Sequence, residues 1–332
     1  MSVSNLLHEV AKQQTYLRTG LTGAEPEPIE PGSAYLTIQL RAARVEASRR
    51  GLDTMHAVVH SSVSLSTERG QMTYGCVIAP PDFGNRASRG DRFICRDRVL
   101  FGPAPYLGGT LTLEVGVFAV KDSDLAKPYI DLLLNLGQKS SVPLAAAAAP
   151  FVEPLAHGVN LLLGGGRGTR TEIGLSVSQL QATRGRIVAL HMPAEEAVAR
   201  GVTLSRDGDA LVDATGNPLS GYASLTVEIQ ASARRENWWD IPELGEAHER
   251  IRAAYRQGTR RRMEVEFDDF RRIALTCVDL IPPDRTAVVA QVEQQLREAG
   301  AAPAGARDGS EPDPSRDLAP LRQLDIYGSS NS

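Results

Sequence analysis

Between residues 53 and 70, Met55, Ala57, Val59, Val63 and Leu65 fall on one parity, while Thr54, His56, His60, Ser62 and Ser64 fall on the other. A period of two sends successive side chains to opposite faces of an extended chain. The stretch therefore predicts a strand with one apolar and one wet face. AYLTIQLRAARVEA (34–47) and QMTYGCVIA (71–79) behave similarly on either side, and RFICRDRVLFG (92–102) and GTLTLEVGVFAV (109–120) continue the series through the turn material PAPYLGG. Short strands punctuated by Gly and Pro predict an antiparallel sandwich or barrel.

The period then lengthens. From Asp122 onward, Leu125, Tyr129, Leu132, Leu133 and Leu136 recur at helical spacing. After GQKSSVP breaks that run, Phe151, Leu155, Val159 and Leu162 take it up again. The pair reads as an apolar helical hairpin, 122–164, inserted into a β scaffold. Strands resume with TRTEIGLSVSQ (169–179) and GRIVALHMP (185–193), and residues 202–233 read as hairpin material with Asp-Gly and Gly-Asn at the bends. Beyond RRENWWDIPEL the pattern is helical. Ile251 and Tyr255 mark one helix, Met263, Phe267, Phe270, Ala274 and Cys277 a second, and Val289, Val292 and Leu296 a third. Residues 4–18 carry a weak helical stripe (Leu6, Val10, Tyr16), followed by the Pro-rich linker TGAEPEPIEPGS. The expected fold is α+β: an N-terminal helix and linker (1–33), a β-rich antiparallel sandwich (34–235) with its inserted hairpin, a C-terminal helical segment (236–300) and a disordered tail (301–332).

The stretch LLLGGGRGTRTEIGL (161–175) tests whether a nucleotide enzyme is a live reading. Phosphate-binding loops place glycines after a strand and before a helix, whose free N–H groups and dipole then meet the anion. Here the predicted order is reversed, with a helix entering the glycines and a strand leaving them. Glycine at a helix C-terminus is a cap, and Arg167 and Arg170 complement the negative dipole end there. The pattern G-x-x-x-x-G-K-[ST] is absent, so the stretch is read as a turn.

Composition narrows the chemistry. A net charge of −4 argues against a nucleic-acid binder working by bulk electrostatics. The N-terminus has no basic start followed by a long apolar run, so no secretory signal is read. Three cysteines (Cys76, Cys95, Cys277) without CxxC spacing predict neither a disulfide framework nor zinc, and a cytoplasmic location. His56 and His60 share a strand face but lie about 13 Å apart, too far for one metal. The other histidines stand alone. RQGTRRRMEVEFDDFRR interleaves basic and acidic residues, the mark of a solvated helix face carrying local ion pairs. No G-x-S-x-G elbow is present. No metal or cofactor is expected.

Three functional readings follow. The first is a non-enzymatic protein–protein interaction module, an adaptor or subunit of a cytoplasmic assembly of bacterial type. Its expected contact residues are Leu132, Leu136, Phe151 and Leu155 on the hairpin, and Trp238 and Trp239 at the junction with the C-terminal helices. One of the adjacent tryptophans is expected to anchor a core and the other to face a partner. The second rests on Asp122 and Asp124 in VKDSDLAK and Asp207 and Asp209 in SRDGDA. Such D-x-D pairs in the loops of a sandwich resemble those of C2 membrane-binding domains, which would imply a calcium- or membrane-responsive module. Helix capping and turn formation account for the same aspartates more simply. Membrane contact through the hairpin is not favoured, because its uncharged stretch from Val142 to Val152 falls short of the roughly 20 residues that span a bilayer. The third is a hydrolase with a dispersed site, since catalytic triads assemble from distant residues.

Overall fold

A computed structural model describes residues 14–21, 25–45, 49–50, 53–67, 70–78, 88–89, 92–121, 169–205, 210–258 and 260–299. The chain is a mixed α+β protein built on antiparallel sheets. It divides into two units, the first comprising Met1–Glu30, Leu36–Gly102 and Leu107–Ala231, the second Pro31–Tyr35, Pro103–Tyr106 and Ser232–Ser332.

The first unit holds two main sheets. Strands β1 (Thr15–Thr19), β2 (Glu27–Pro28), β3 (Tyr35–Val45), β4 (Arg49–Arg50), β5 (Asp53–Thr67), β6 (Gly70–Ile78), β7 (Ser88–Arg89), β8 (Arg92–Pro105), β9 (Leu111–Lys121), β10 (Thr169–Gln179), β11 (Thr183–Leu190) and β14 (Ser224–Ser232) supply them. One sheet runs β1-β11-β14-β3-β8-β7, with β2 also on β11. The other runs β10-β9-β5-β4, with β6 also on β5. Alternation explains their cores. Leu111, Leu113, Val115 and Val117 of β9 are buried on the same face as Val59, Val63 and Leu65 of β5, in a register that sets Val63 opposite Leu113. In the larger sheet Leu36, Ile38 and Leu40 of β3 and Leu225, Val227 and Ile229 of β14 are likewise buried. Tyr74 of β6 and Phe101 of β8, one from each sheet, meet with ring centroids 5.0 Å apart.

Two features depart from the sequence reading. Residues 15–18, expected as the end of a helix, form β1 together with Thr19, while residues 4–13 lie outside the described residues. The five residues TYLRT alternate, and pairing with β11 from Thr15↔Leu190 to Thr19↔Arg186 satisfies backbone groups that a weak apolar stripe could not hold in a helix. Within 191–223 a short helix, α1 (Ala194–Ala199), precedes β12 (Thr203–Leu204) and β13 (Leu211–Val212), which pair with each other. Pro193 followed by Glu195 and Glu196 is a helix-start signal that the surrounding hairpin pattern obscured. Ala197, Val202, Leu211 and Leu219 of this small lobe pack on Val188 and Leu190 of β11. The expected Gly-Asn bend is present. Asp213 Oδ1 accepts from the backbone N–H groups of Thr215 and Asn217 (2.9 and 3.0 Å), and Gly216 takes φ 84°.

The second unit carries α2 (Pro242–Arg256), α3 (Arg260–Thr276) and α4 (Pro282–Glu298). A proline opens α2 and α4, where a missing N–H costs nothing. The core holds Leu244, Ile251 and Tyr255 of α2, Met263, Phe267, Phe270 and Ala274 of α3, and Val288, Val292 and Leu296 of α4. His248 is fully buried within it. Its Nε2–H donates to Gln295 Oε1 at 3.1 Å and its ring meets Phe270 edge-on. Burial depresses the His248 pKa against the opposing pull of the Gln295 hydrogen bond, so a neutral imidazole belongs in this core.

Tyr35, at the end of a segment belonging to this unit, fastens the start of α4. Its hydroxyl donates to Asp284 Oδ2 at 2.6 Å and accepts from Ile281 N–H at 3.1 Å, all in a buried setting. Tyr35→Phe removes both bonds and leaves the ring. Two buried hydrogen bonds at about 1 kcal/mol each put the loss at about 2 kcal/mol. Urea denaturation of the full chain should show it as a lower midpoint. An unchanged midpoint would mean that the clasp is redundant.

Candidate functional site

The sequence places two tryptophans at the entry to α2, and the structure separates their roles. Trp238 opens a 3₁₀ turn (Trp238–Asp240), is 1% exposed and belongs to the core of the helical unit. Trp239 is half-buried and packs against that core from its rim, with its ring edge-on to Trp238 at 6.3 Å and 68°. Adjacent residues in a tight turn must point in different directions, so one indole faces inward and the other keeps part of its surface in water. Gly245 lies under this arrangement, since a Cβ there would sit 3.3 Å from the Trp239 carbonyl oxygen. Glu236 and Asp240 on either side are exposed. Trp239 is therefore a partly solvated aromatic surface with an acidic border. Its expected companions Leu132, Leu136, Phe151 and Leu155, together with the whole segment 122–164, lie outside the described residues.

A second constellation joins residues far apart in the sequence. On one face of the larger sheet, Arg186 of β11, Glu228 of β14, Arg41 of β3 and Asp97 of β8 follow the strand order, so charge alternates across four neighbouring strands. Arg186 stands directly opposite Glu228 in the register, with Nε 2.6 Å from Oε2. Arg41 Nε lies 3.6 Å from the same oxygen, and Arg41 NH1 is 2.6 Å from Asp97 Oδ1. Gln230 also donates to Glu228. Burial by itself would raise the Glu228 pKa, but the hydrogen bonds from Gln230 and Arg186 and the charges of Arg186 and Arg41 outweigh it and hold the carboxyl below its usual value. Asp97 bends out of the strand with φ 51°, a conformation Asp tolerates better than most residues. Two cations balance two anions here, so the row reads as a cross-strand fastening. The signal available in sequence was Glu228 in the middle of SLTVEIQAS, but its partners come from strands far away along the chain.

His60 is the third. It sits on β5 opposite Gly116 of β9, which in turn faces Gly174 of β10. The sequence assigns it to the wet face, and further along that face Ser62 and Ser64 are half-buried. His60 is only 6% exposed, and Val58 beside it is 3% exposed, so this end of the face is dry. Burial pushes the His60 pKa down to about 4, and its Nδ1 has no hydrogen-bond partner among the described residues. The His56 side chain lies outside the described residues. No group of three or more His, Cys, Asp or Glu placed to hold a metal occurs among them.

Of the remaining motifs, the glycine run at 164–168 lies outside the described residues, and the strand expected to leave it is β10. The D-x-D pairs at 122–124 and 207–209 also lie outside. The arginine-rich stretch forms α3 with the expected local pairs, Arg260–Glu264 at 3.2 Å and Arg272–Asp269 at 2.7 Å. Cys277 is buried, and burial raises its thiol to about 11, which removes it as a nucleophile at neutral pH. No helix among the described residues is long and apolar enough to cross a membrane.

Fold and site together define an α+β protein with antiparallel sheets and, among the described residues, a unit of three helices. No known family pattern, characterised protein or solved structure matches the chain.

Proposed function

We propose that the chain is a non-enzymatic protein-binding module, an adaptor or subunit of a cytoplasmic assembly of bacterial type. In this reading the two sheets form a sandwich scaffold, the apolar segment 122–164 is its helical insertion, and the three-helix unit presents the contact surface. The observation that supports it is Trp239, half-exposed and braced edge-on by a buried Trp238. A tryptophan already held in one orientation loses little freedom on binding and offers a large apolar surface with one N–H donor, the properties of interface hot spots.

The test is a comparison of tagged wild type, Trp239→Phe and Trp239→Ala in lysate of the native cells, read by quantitative mass spectrometry. The expected result is a partner enriched by wild type, retained in part by W239F and lost with W239A, while all three chains melt within a few degrees of one another. Identical binding by wild type and W239A, or no enriched partner for wild type, would overturn the reading.

A further inference from the structure

The outward face of α3 has a regular spacing that the ion-pair description leaves unexplained. The helix buries Met263, Phe267, Phe270 and Ala274 on one side. On the opposite side a line of exposed residues runs Arg261, Val265, Asp268, Arg272, Leu275, separated by four, three, four and three positions. These five positions form one stripe of the helix, and within it Val265 and Leu275, like Asp268 and Arg272, stand symmetrically about residue 270. Val265 is 61% exposed and Leu275 39% exposed, although both are aliphatic. The ion pairs Arg260–Glu264 and Arg250 of α2 with Glu266 and Asp269 run beside the line, while Arg272, on the line, also meets Asp269 from its side. Asp268 takes part in none of these.

We infer that this face of α3 pairs with a second copy of the chain, antiparallel, about a twofold axis level with residue 270 on the side of the helix away from the buried Phe270 ring. This surface is separate from Trp239 and does not depend on it. The order of residues decides both occupant and direction. In an antiparallel pair centred there, Val265 lies against the partner's Leu275 and Asp268 against the partner's Arg272. Twofold symmetry repeats both contacts, giving four layers in which apolar meets apolar and acid meets base. A parallel pair in register would set Asp268 on the partner's Asp268 and Arg272 on the partner's Arg272, which is repulsive. A line of residues that complements its own reversed copy is what an isologous interface needs.

Size sets the strength. A helix of 17 residues is about 25 Å long, and one such pair falls short of the roughly 1,200–2,000 Å² of a standard stable interface. The dimer is therefore weak and, with half its layers ionic, weakens further as salt rises.

Sedimentation velocity on the full chain at low salt, from about 10 µM to 1 mM, spans the range for a contact of this size. Wild type should show a monomer–dimer equilibrium. Asp268→Arg and Arg272→Asp should each weaken it by about 100-fold, because each places like charges together twice. The double variant D268R/R272D recreates the opposite pairing in reverse and should restore association. Leu275→Glu, at an exposed position that leaves the helical core untouched, should also abolish it. A wild type monomeric up to the highest concentration overturns the inference, as does a dimer that D268R and L275E leave unchanged, or a double variant that fails to recover. Circular dichroism melts of each variant separate loss of pairing from loss of fold, and recovery in the double variant cannot arise from unfolding.

Discussion

Gly102→Ala is expected to cost about 3 kcal/mol or more and to be among the most damaging single substitutions in the first unit. Gly102 lies within β8 with φ 91°, a backbone conformation costing about 1–2 kcal/mol once a Cβ is present. A Cβ there would also sit 2.2 Å from the Leu36 carbonyl oxygen and 3.1 Å from the Thr37 Cα of the neighbouring β3. Backbone atoms cannot rotate aside as a flexible side chain can, so the two strands must separate. Overpacking of this sort adds about 1–3 kcal/mol. Gly216→Ala is the control. Its φ is 84°, but nothing lies within 4 Å of the added Cβ, so only the same conformational cost of about 1–2 kcal/mol remains. Urea midpoints of the two variants should differ in this order. Equal midpoints would mean that β3 and β8 are not so closely apposed at Gly102.

The second large effect is a loss of stability in mild acid through His60. Its pKa falls from 6.5 to about 4 in the folded chain because burial disfavours the imidazolium. A depressed folded pKa means that the unfolded chain takes up the proton first. Stability is therefore intact above pH 6.5, declines as the pH drops below that value, and stops declining once the folded form also protonates near pH 4. The separation corresponds to about 3 kcal/mol. His248 shifts in the same direction, and the carboxylates titrate over part of the same window, so the informative quantity is a difference. The stability of wild type minus that of His60→Leu should fall by about 3 kcal/mol between pH 6.5 and pH 4. A difference that stays flat with pH would place His60 in contact with water.

These two residues also show how far the sequence could be read. Parity alone placed β5 and β9 correctly, because Val59, Val63 and Leu65, like Leu111, Leu113, Val115 and Val117, are buried on one face and the repeat is long enough to admit no other structure. The three C-terminal helices were legible for the same reason at a period of 3.6, with Phe267, Phe270 and Ala274 fixing the buried side of α3. What parity could not supply was depth. His60 and Ser62 look alike in an alternating strand, and only the register distinguishes them, setting His60 opposite Gly116 and Ser62 opposite Glu114. The row from Arg186 to Asp97 was hidden because its members come from four strands whose lateral order is a property of topology. β1 was missed because a five-residue strand at a sheet edge is decided by its partner β11, and local pattern carries little weight there. At the candidate site, the pair Trp238–Trp239 was visible, and the structure adds which indole is enclosed.

Amide hydrogen exchange on the chain alone and bound to its co-purified partner tests the proposed function most directly. Partner binding should slow exchange in residues 236–245, around Trp239 and the first turn of α2, and leave β9 as it was in the isolated chain. Unaltered exchange across 236–245 together with new protection elsewhere would contradict the assignment of Trp239 as the contact.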